Sequence, residues 1–259
     1  MKLLFLVLIA LIYLFLLAPL LIVVAVSFGA DSAVAFPPRA LSLRWYAAAF
    51  QSSLFRQALI SSIVIGAFSA LASTVLGLGA ATAIMRMRAA WRATLETIFL
   101  SPLVVPGVLF GIALLAASAQ IGLRASWTKL LLAHIVITLP YAVRMILTSY
   151  ARLDPTYQEA AATLGASAFE TFRYVTLPMI RPGIIAGALF GFVISFDNVP
   201  VSIFLVDAYM TTIPIAIMSY LEYNFDPSVS AISSIIIVSM LGIALVLERI
   251  IGLQRTLGS

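Results

Sequence analysis

The chain has 259 residues, of which 63% are hydrophobic and only 10% are charged, with a mean hydropathy of +1.14. One soluble core cannot hide that much apolar surface, so the composition excludes a water-soluble globular protein and indicates an integral membrane protein. The formal net charge of +5 needs no nucleic-acid partner, and the absence of cysteine excludes a disulfide framework or thiolate metal site.

Six segments are long enough to cross the membrane, since about 20 apolar residues span the roughly 30 Å of hydrocarbon. Four contain charge-free runs, which are Leu3–Phe28, Gln57–Met85, Thr97–Leu123 and Pro227–Leu247. The other two contain apolar runs interrupted by one charged residue each, Leu130–Ala151 by Arg144 and Pro182–Val206 by Asp197. The sequence therefore predicts an all-α integral membrane protein with six transmembrane helices in a single domain, 1–259. The predicted spans are about 3–28, 57–85, 97–123, 130–151, 179–206 and 227–248.

The first segment has one alternative interpretation. Lys2 precedes an apolar run, and Ala33-Val34-Ala35 is similar to a signal-peptide cleavage site. The run is longer than the roughly 7–15 residues of a signal core, which favours a retained span.

The distribution of basic residues predicts the orientation. An even number of spans puts both termini on one side, and a cytoplasmic placement leaves nine basic residues inside and five outside, in keeping with the positive-inside rule. The inner set is Lys2, Arg86, Arg88, Arg92, Arg152, Arg173, Arg181, Arg249 and Arg255, and the outer set is Arg39, Arg44, Arg56, Arg124 and Lys129. Both termini and the segment 152–178 are then expected in the cytoplasm.

Two further segments carry local signals. Between the first two spans, Pro37-Pro38 blocks helix formation and the sequence "WYAAAF" indicates an interfacial aromatic anchor. In the third span, Pro102 and Pro106 remove backbone donors, which predicts a kinked helix.

The segment 152–178 reads as a short amphipathic helix outside the membrane. Asp154-Pro155-Thr156 is a helix start signal. Apolar side chains then recur every three or four residues and predict one stripe, formed by Tyr157, Ala161, Leu164, Ala168 and Phe172. Gly165 within it would let the chain bend or another backbone come close. From periodicity alone, the partner of this stripe is either the lipid headgroup layer or another protein.

A longer pattern in this segment resembles a known motif. Glu159-Ala160-Ala161 is followed after three residues by Gly165, after nine more by Val175, and then by Leu177-Pro178. This resembles the cytoplasmic "EAA" loop of ABC importer permeases, which has isoleucine where Val175 stands. In that family the loop forms a coupling helix that docks on an ATP-hydrolysing subunit. The resemblance implies a type I importer permease fold and these ATPase-coupling residues: Glu159, Ala160, Ala161, Leu164, Gly165, Leu177 and Pro178.

The second half of the chain narrows the resemblance. The sequences "GALFGFVISFDNVPVSIFL" and "TTIPIAIMSYLEYNFDPSVSAISS" are similar to the second permease subunit of spermidine/putrescine importers. Relatives of that group carry ferric iron, thiamine, phosphonates or opines. The resemblance implies a bacterial inner membrane, two copies of an ATP-binding cassette subunit, a second permease in a heterodimer and an external solute-binding protein, besides membrane lipid.

The chain itself is expected to bind no cofactor. Its only lysines are Lys2 and Lys129, and neither follows a glycine-rich phosphate loop. ATP and Mg²⁺ would therefore be bound and hydrolysed by the partner, so this chain is expected to be a non-catalytic subunit.

Charged residues supply the candidate solute contacts. An acid inside a span is costly and usually faces a cavity or a partner, so Asp197 and the adjacent Asn198 are candidates for the translocation path. The structural alternative is that Asp197 bonds a neighbouring helix or pairs with Arg144. Glu222 and Asp226 are candidate contacts for the binding protein, or solvated loop charges.

Two other residues are given structural roles. Arg144 is expected to close a structural pair or to extend towards the cytoplasmic face. His134 is a single imidazole without a second ligand at helical spacing, so we expect it to be buried and hydrogen-bonded and expect no metal.

Two other classes of function compete with the importer subunit. A self-sufficient secondary carrier or channel commonly shows paired broken helices in repeated halves, and the sequence shows no convincing repeat. An intramembrane enzyme would need a second acid beside Asp197 or a serine coupled to His134, and neither is evident in the sequence.

Overall fold

The computed structural model describes residues 2–224 and 226–251, and these residues form eleven α-helices. The helices are α1 (Lys2–Ser27), α2 (Arg44–Gln51), α3 (Ser53–Arg86), α4 (Ala89–Leu100), α5 (Gly107–Gln120), α6 (Ser126–Tyr150), α7 (Thr156–Thr163), α8 (Ala168–Thr171), α9 (Leu177–Phe196), α10 (Ile213–Tyr223) and α11 (Ser228–Ile251). Arg255, one of the basic residues used to predict the orientation, lies outside the described residues.

Five helical segments are long and apolar enough to cross a membrane: α1, α3, α6, the continuous helix from α8 through α9, and α11. The pair α4 and α5 gives a sixth if its two bent halves count as one span. The predicted all-α architecture with six spans is therefore confirmed, with one span broken.

The third predicted span differs from expectation in the size of its break. The helix starts at Ala89, passes through a 3₁₀ turn at Ser101–Leu103 and resumes at Gly107, and its two halves meet at 91°. Pro106 is the N-cap residue of α5, where the fixed φ of proline suits a helix start but its ring excludes continuation from α4. The sequence predicted the kink and not its angle.

The fifth predicted span, 179–206, has different bounds at both ends. Helix is continuous from Ala168 to Phe196, with a π-helical stretch at Phe172–Thr176, so Pro178 does not begin a new element. Pro178 lies just after the π-helical stretch, whose wider turn shifts the backbone hydrogen bonds at the point where proline has no N–H to donate. At the other end the helix stops at Phe196, and Asn198 forms a side-chain turn with the Val201 N–H at 3.0 Å.

The chain divides into two units, one formed by 1–58 with 216–259 and the other by Leu59–Ile215. In the first unit, α1 and α2 both contact α11. The Tyr46 hydroxyl joins the three helices, because it lies 2.7 Å from Ser27 Oγ and 2.8 Å from Ser234 Oγ.

In the second unit, α6 packs closely along α9. A Cβ placed on Gly183 would lie 2.5 Å from Ser149 Cβ and 2.7 Å from the Met145 carbonyl oxygen, and one on Gly187 would lie 3.1 Å from Ala142 Cα. Small residues four apart let two membrane helices approach at backbone distance. The segment 152–178 joins this antiparallel pair, so its geometry is set by two tightly packed helices.

Candidate functional site

The candidate site is the loop segment, residues 152–178, and its first helix begins where the sequence predicts. The Asp154 carboxylate accepts a hydrogen bond from the Thr156 N–H at 2.9 Å, and α7 starts at Thr156. Hydrogen bonds from Thr156 hold the pKa of the Asp154 carboxyl below its ordinary value. The start signal is therefore confirmed.

Gly165 supplies the turn that ends α7. Its φ is +86°, and a Cβ built there would meet nothing within 4 Å, so the glycine serves the bend and not a close approach. The Gly165 N–H donates to the Ala162 carbonyl and the Ala166 N–H donates to the Ala161 carbonyl, each at 3.0 Å. This pair of bonds is a Schellman motif, in which the residue in the left-handed region is usually glycine.

A second helix start follows directly. Ser167 N–H donates to Glu170 Oε2 at 2.8 Å, and Glu170 N–H donates to Ser167 Oγ at 3.3 Å, which makes a capping box for α8. The sequence carries the signature of this box, a serine followed three residues later by glutamate, so this helix start was also predictable. The loop segment is thus two short helices joined by a defined turn.

The predicted apolar stripe is wrong because the turn at Gly165 separates its two halves. Leu164 is 88% exposed and Tyr157 is 56% exposed, whereas Ala161 and Phe172 are half-buried. Phe169, which lay outside the predicted stripe, is 73% exposed. Four large side chains of the loop segment, Tyr157, Leu164, Phe169 and Tyr174, are therefore presented to the surroundings.

The remaining motif residues lie on both sides of this surface. Glu159, Ala160 and Gly165 are exposed on or next to α7. Leu177 is half-buried and Pro178 is exposed, and both lie in the first turn of α9. The motif is thus divided between two places. Residues 159–165 lie together on α7 and its C-terminal cap, and Leu177-Pro178 lie at the start of α9.

A side-chain bond fixes α7 against the start of the membrane helix. Gln158 Nε2 donates to Thr176 Oγ1 at 3.0 Å, and Thr176 is buried. These residues are 18 positions apart, and no local sequence signal announces such a pair. The bond holds α7 through Gln158, while Tyr157 and Glu159 on either side of it remain exposed.

Asp197 and Asn198 lie at the opposite end of α9 from the loop segment. Asp197 is the C-cap residue of α9 and is exposed, and Asn198 is half-buried and accepts the Val201 N–H described above. The acid is therefore outside the regular helix, at the start of a segment, 197–212, whose only regular element is a 3₁₀ turn at Ser202–Phe204.

The proposed pairing of Asp197 with Arg144 is wrong. The contacts of Gly183 with Met145 and Ser149, and of Gly187 with Ala142, put Arg144 beside the first half of α9. Asp197 lies about 12 residues farther along, which corresponds to roughly 18 Å along a helix. Arg144 is exposed on α6, in keeping with an extended side chain.

His134 is buried and hydrogen-bonded, as the sequence predicts. Its Nδ1 lies 2.6 Å from Ser195 Oγ and its Nε2 lies 3.0 Å from Ser202 Oγ, and Ser69 Oγ donates to Ser195 Oγ at 2.9 Å. All four side chains are buried. The chain of bonds links α3, α6, α9 and the segment after α9, and the sequence did not identify the three serines. Among the described residues, no group of three or more potential metal ligands is found.

The two candidate contacts for a binding protein differ from each other. Glu222 is exposed at the end of α10. Asp226 is half-buried and accepts hydrogen bonds from the Tyr220 hydroxyl at 2.7 Å and the Ser228 N–H at 2.8 Å. Burial raises the pKa of the Asp226 carboxyl, but the bonds from Ser228 and Tyr220 outweigh it and leave the pKa below its ordinary value. Asp226 therefore has a structural role at the start of α11.

Comparison with known proteins establishes the class of protein that this fold and loop segment define. Residues 73–255 match the family described as "Binding-protein-dependent transport system inner membrane component". The chain belongs to this family, and it is a permease subunit of a binding-protein-dependent transport system.

Individual relatives are similar over most of the chain. The chain is 31% identical over 239 residues to the spermidine/putrescine transport system permease protein PotC of Haemophilus influenzae, which covers 92% of this chain and 93% of the relative. It is 30% identical over 231 residues to the putrescine transport system permease protein PotI of Escherichia coli, covering 86% and 82%.

Solved structures support the fold. A chain in the crystal structure of a bacterial ABC transporter involved in the import of alginate matches with a TM-score of 0.68 at 15% identity, over 96% of this chain and 94% of that one. The inward-facing MetNI methionine ABC transporter matches with a TM-score of 0.62 at 16% identity, over 78% and 98%. The predicted class, an ABC importer permease fold, is confirmed.

Proposed function

We propose that this permease subunit is moved by two copies of a separate ATP-binding cassette subunit, which bind and hydrolyse ATP with Mg²⁺. The observation that carries the proposal is the exposure of Tyr157, Leu164 and Phe169 on the loop segment. Large apolar side chains exposed on a short, otherwise polar element are typical of a protein-binding surface. The small residues Ala160 and Gly165 beside them would allow a partner to approach closely.

The continuous helix offers a route for the motion. From Ala168 to Phe196 it has 29 residues, about 43 Å, which exceeds the hydrocarbon thickness by about 13 Å. A displacement of α8 therefore acts directly on α9. The close glycine contacts of α9 with α6 would make the two helices move together, so ATP-driven movement of the loop segment would change access to the path near Asp197 and Asn198.

The solute that fits best is a polyamine such as spermidine or putrescine. PotC is named for spermidine and putrescine and PotI for putrescine, and the exposed Asp197 carboxylate could attract a cationic amine. Phosphonate, opine, thiamine or iron remain the alternatives within the same class of importer.

Membership of this family of transport subunits supports a proposal for the rest of the assembly. We propose a heterodimer with a second permease, an external solute-binding protein and cytoplasmic termini in a bacterial inner membrane. A similar structure of an alginate transporter is titled as a complex with a periplasmic protein, which supports a docking partner on the outer side. Glu222, exposed near α11, is the better candidate of the two predicted contacts.

The docking surface can be tested by co-purification. Leu164→Ser and Phe169→Ser should each weaken capture of the ATPase subunit by about tenfold, because apolar anchors dominate such interfaces. Tyr209→Ser is the matched control, since Tyr209 is 96% exposed but lies near the other end of α9. Equal capture by all three variants would contradict the proposal, and solute movement by the chain alone without ATP would favour a secondary carrier.

The path can be tested by spermidine uptake in the reconstituted transporter. Asp197→Asn should raise KM by up to about fivefold, the range of an exposed ion pair. Asp207→Asn is the control, because Asp207 is also exposed but its Oδ1 accepts from the Tyr209 N–H at 2.8 Å and the Met210 N–H at 2.9 Å, a turn that asparagine can keep. An unchanged KM for Asp197→Asn would remove it from the path.

A further inference from the structure

A cavity of about 600 Å³ lies between the end of α3, the end of α6 and the two short helices of the loop segment. Its polar lining includes Thr82, Arg86, Arg92, Tyr150 and Gln158. This volume falls in the range of small-ligand sites. Gly165 and the residues of the α6–α9 glycine contacts do not line this cavity, so it is a separate feature of the loop segment.

The charge of the lining selects an anion. Arg86 and Arg92 are its charged residues, and no carboxylate lies among the lining residues. Arg92 donates to the carbonyls of Met85 and Met87, which holds its guanidinium at the cavity. The hydroxyls of Thr82 and Tyr150 lie 2.9 Å apart. Guanidinium and hydroxyl donors together match the oxygens of a phosphate group.

A second, apolar groove of about 550 Å³ adjoins this cavity. The two share Thr82, Arg86 and Phe172, and the groove continues along Val75, Leu78, Gly79 and Ala83 of α3. These positions recur every three or four residues, so they lie on one face of the helix. A Cβ built on Gly79 would meet nothing within 4 Å, so the glycine leaves a slot in this face.

The depth of the two cavities matches a membrane lipid. Arg86 is the last residue of α3 and is followed by Arg88, a position typical of the headgroup layer. From Arg86 back to Val75 the helix descends about 16 Å, roughly half of the hydrocarbon thickness. A donor-lined cavity at headgroup depth thus opens into an apolar groove that enters the bilayer.

We propose that these cavities form a binding site for an anionic phospholipid. The phosphate binds Arg86 and the hydroxyls of Thr82 and Tyr150, and one acyl chain lies along the groove from Ala83 to Val75. The positive charge of Arg86 and Arg92 disfavours a cationic solute. A free phosphate would fill only the polar cavity and leave the apolar groove empty. Because Phe172 lines both cavities, the lipid contacts α3 and the beginning of the helix that continues into α9.

The test is lipid binding by the full chain in mild detergent, measured by native mass spectrometry. Phosphatidylglycerol with acyl chains of about 16 carbons should bind in preference to phosphatidylcholine. Arg86→Gln should weaken the phosphatidylglycerol complex by about tenfold, the usual effect of removing a charged hydrogen-bond donor. Arg88→Gln is the matched control, since Arg88 is exposed and lies two residues away but does not line either cavity.

A second variant tests whether the ligand is a lipid or a free anion. Its result does not depend on whether Arg86→Gln folds. Gly79→Leu fills the groove, so it should weaken binding of long-chain phosphatidylglycerol and leave dihexanoyl phosphatidylglycerol unaffected. Three results would each overturn the proposal. The first is equal binding of phosphatidylglycerol and phosphatidylcholine, and the second is an equal loss of phosphatidylglycerol binding in Arg86→Gln and Arg88→Gln. The third is that Arg86→Gln weakens binding of inorganic phosphate while Gly79→Leu binds long-chain and dihexanoyl phosphatidylglycerol equally well.

Discussion

The two ends of α9 are built in different ways. At the loop end, neighbouring residues fix the backbone: Asp154 starts α7, Gly165 ends it and Ser167 starts α8. At the other end, residues 197–212 contain only one short 3₁₀ turn, at Ser202–Phe204. Local turns at Asn198 and Asp207 are joined there by side chains distant in sequence, since His134 bonds Ser202 within the segment and Ser62 accepts the Ile213 N–H directly after it.

The two ends of α9 therefore contribute differently to the stability of the protein and to its motion. The far end depends on buried polar bonds, and losing one leaves an unsatisfied group in a dry interior. The loop end depends on exposed caps and turns, which contribute about 1 kcal/mol each. Substitutions at the far end should therefore lower the stability of the whole fold, whereas substitutions at the loop end should alter the loop segment and leave the stability of the remainder nearly unchanged.

The largest expected effect is from His134→Ala. It removes a side chain that is fully buried and the partner of two serine hydroxyls, so the free energy of unfolding should fall by about 3 kcal/mol. The measurement is thermal unfolding of the purified protein in detergent.

The control for His134 is a double-mutant cycle with Ser202→Ala. Since both residues belong to one hydrogen-bonded chain, the double variant should lose about 1 kcal/mol less than the sum of the single variants. Strict additivity would show that the network is not a unit and would weaken the contrast between the two ends.

The next effect is from Ser62→Ala. The Ile213 N–H donates to Ser62 Oγ at 2.8 Å in a buried site, so its loss should cost about 1–3 kcal/mol. Ser101→Ala is the matched control, because Ser101 is exposed and donates only to a carbonyl of its own turn, that of Ile98 at 2.8 Å. Equal unfolding temperatures for the two variants would contradict the long-range role of Ser62.

The same contrast explains what the sequence could predict. The start of α7 and the bend at Gly165 follow from residues within a few positions of each other, and the loop motif has fixed offsets. The capping box of Ser167 and Glu170 was also readable and was missed. The predicted stripe failed because a periodic pattern was continued through a residue with φ of +86°.

At the far end, sequence reasoning could not have succeeded in the same way. That His134 would be buried follows from its apolar neighbours, but its partners Ser195 and Ser202 are 61 and 68 positions away. The angle of 91° between α4 and α5 likewise depends on packing beyond the two prolines that cause the break. The sequence prediction placed Asp197 in the interior of a span. In the structure the helix ends at Phe196, one residue before Asp197, because Asn198 forms a turn there with the Val201 N–H.

A smaller effect on stability, with a larger one on coupling, is expected from Gly165→Val. A β-branched side chain is strained at positive φ, which costs about 1–2 kcal/mol. Because the turn is exposed and local, the unfolding temperature should change little, whereas ATPase-coupled uptake should fall severalfold. Gly242→Val is the control, since Gly242 is exposed in α11 and a Cβ there meets nothing within 4 Å. A loss of global stability in Gly165→Val alone would mean that the loop end also supports the fold.

The smallest expected effect is from Ser167→Ala, which removes half of the capping box and should cost about 1 kcal/mol in α8 alone. Hydrogen exchange is the suitable measurement, because the amides of α8 should then exchange about fivefold faster while those of α6 keep their rates. Thr163→Ala is the control, since Thr163 is exposed and its hydroxyl donates only to the Glu159 carbonyl within α7, at 2.9 Å. If exchange spreads from α8 into α9, the continuous helix opens as one unit. The loop segment would then be too closely joined to the membrane helix for the two ends to differ as described.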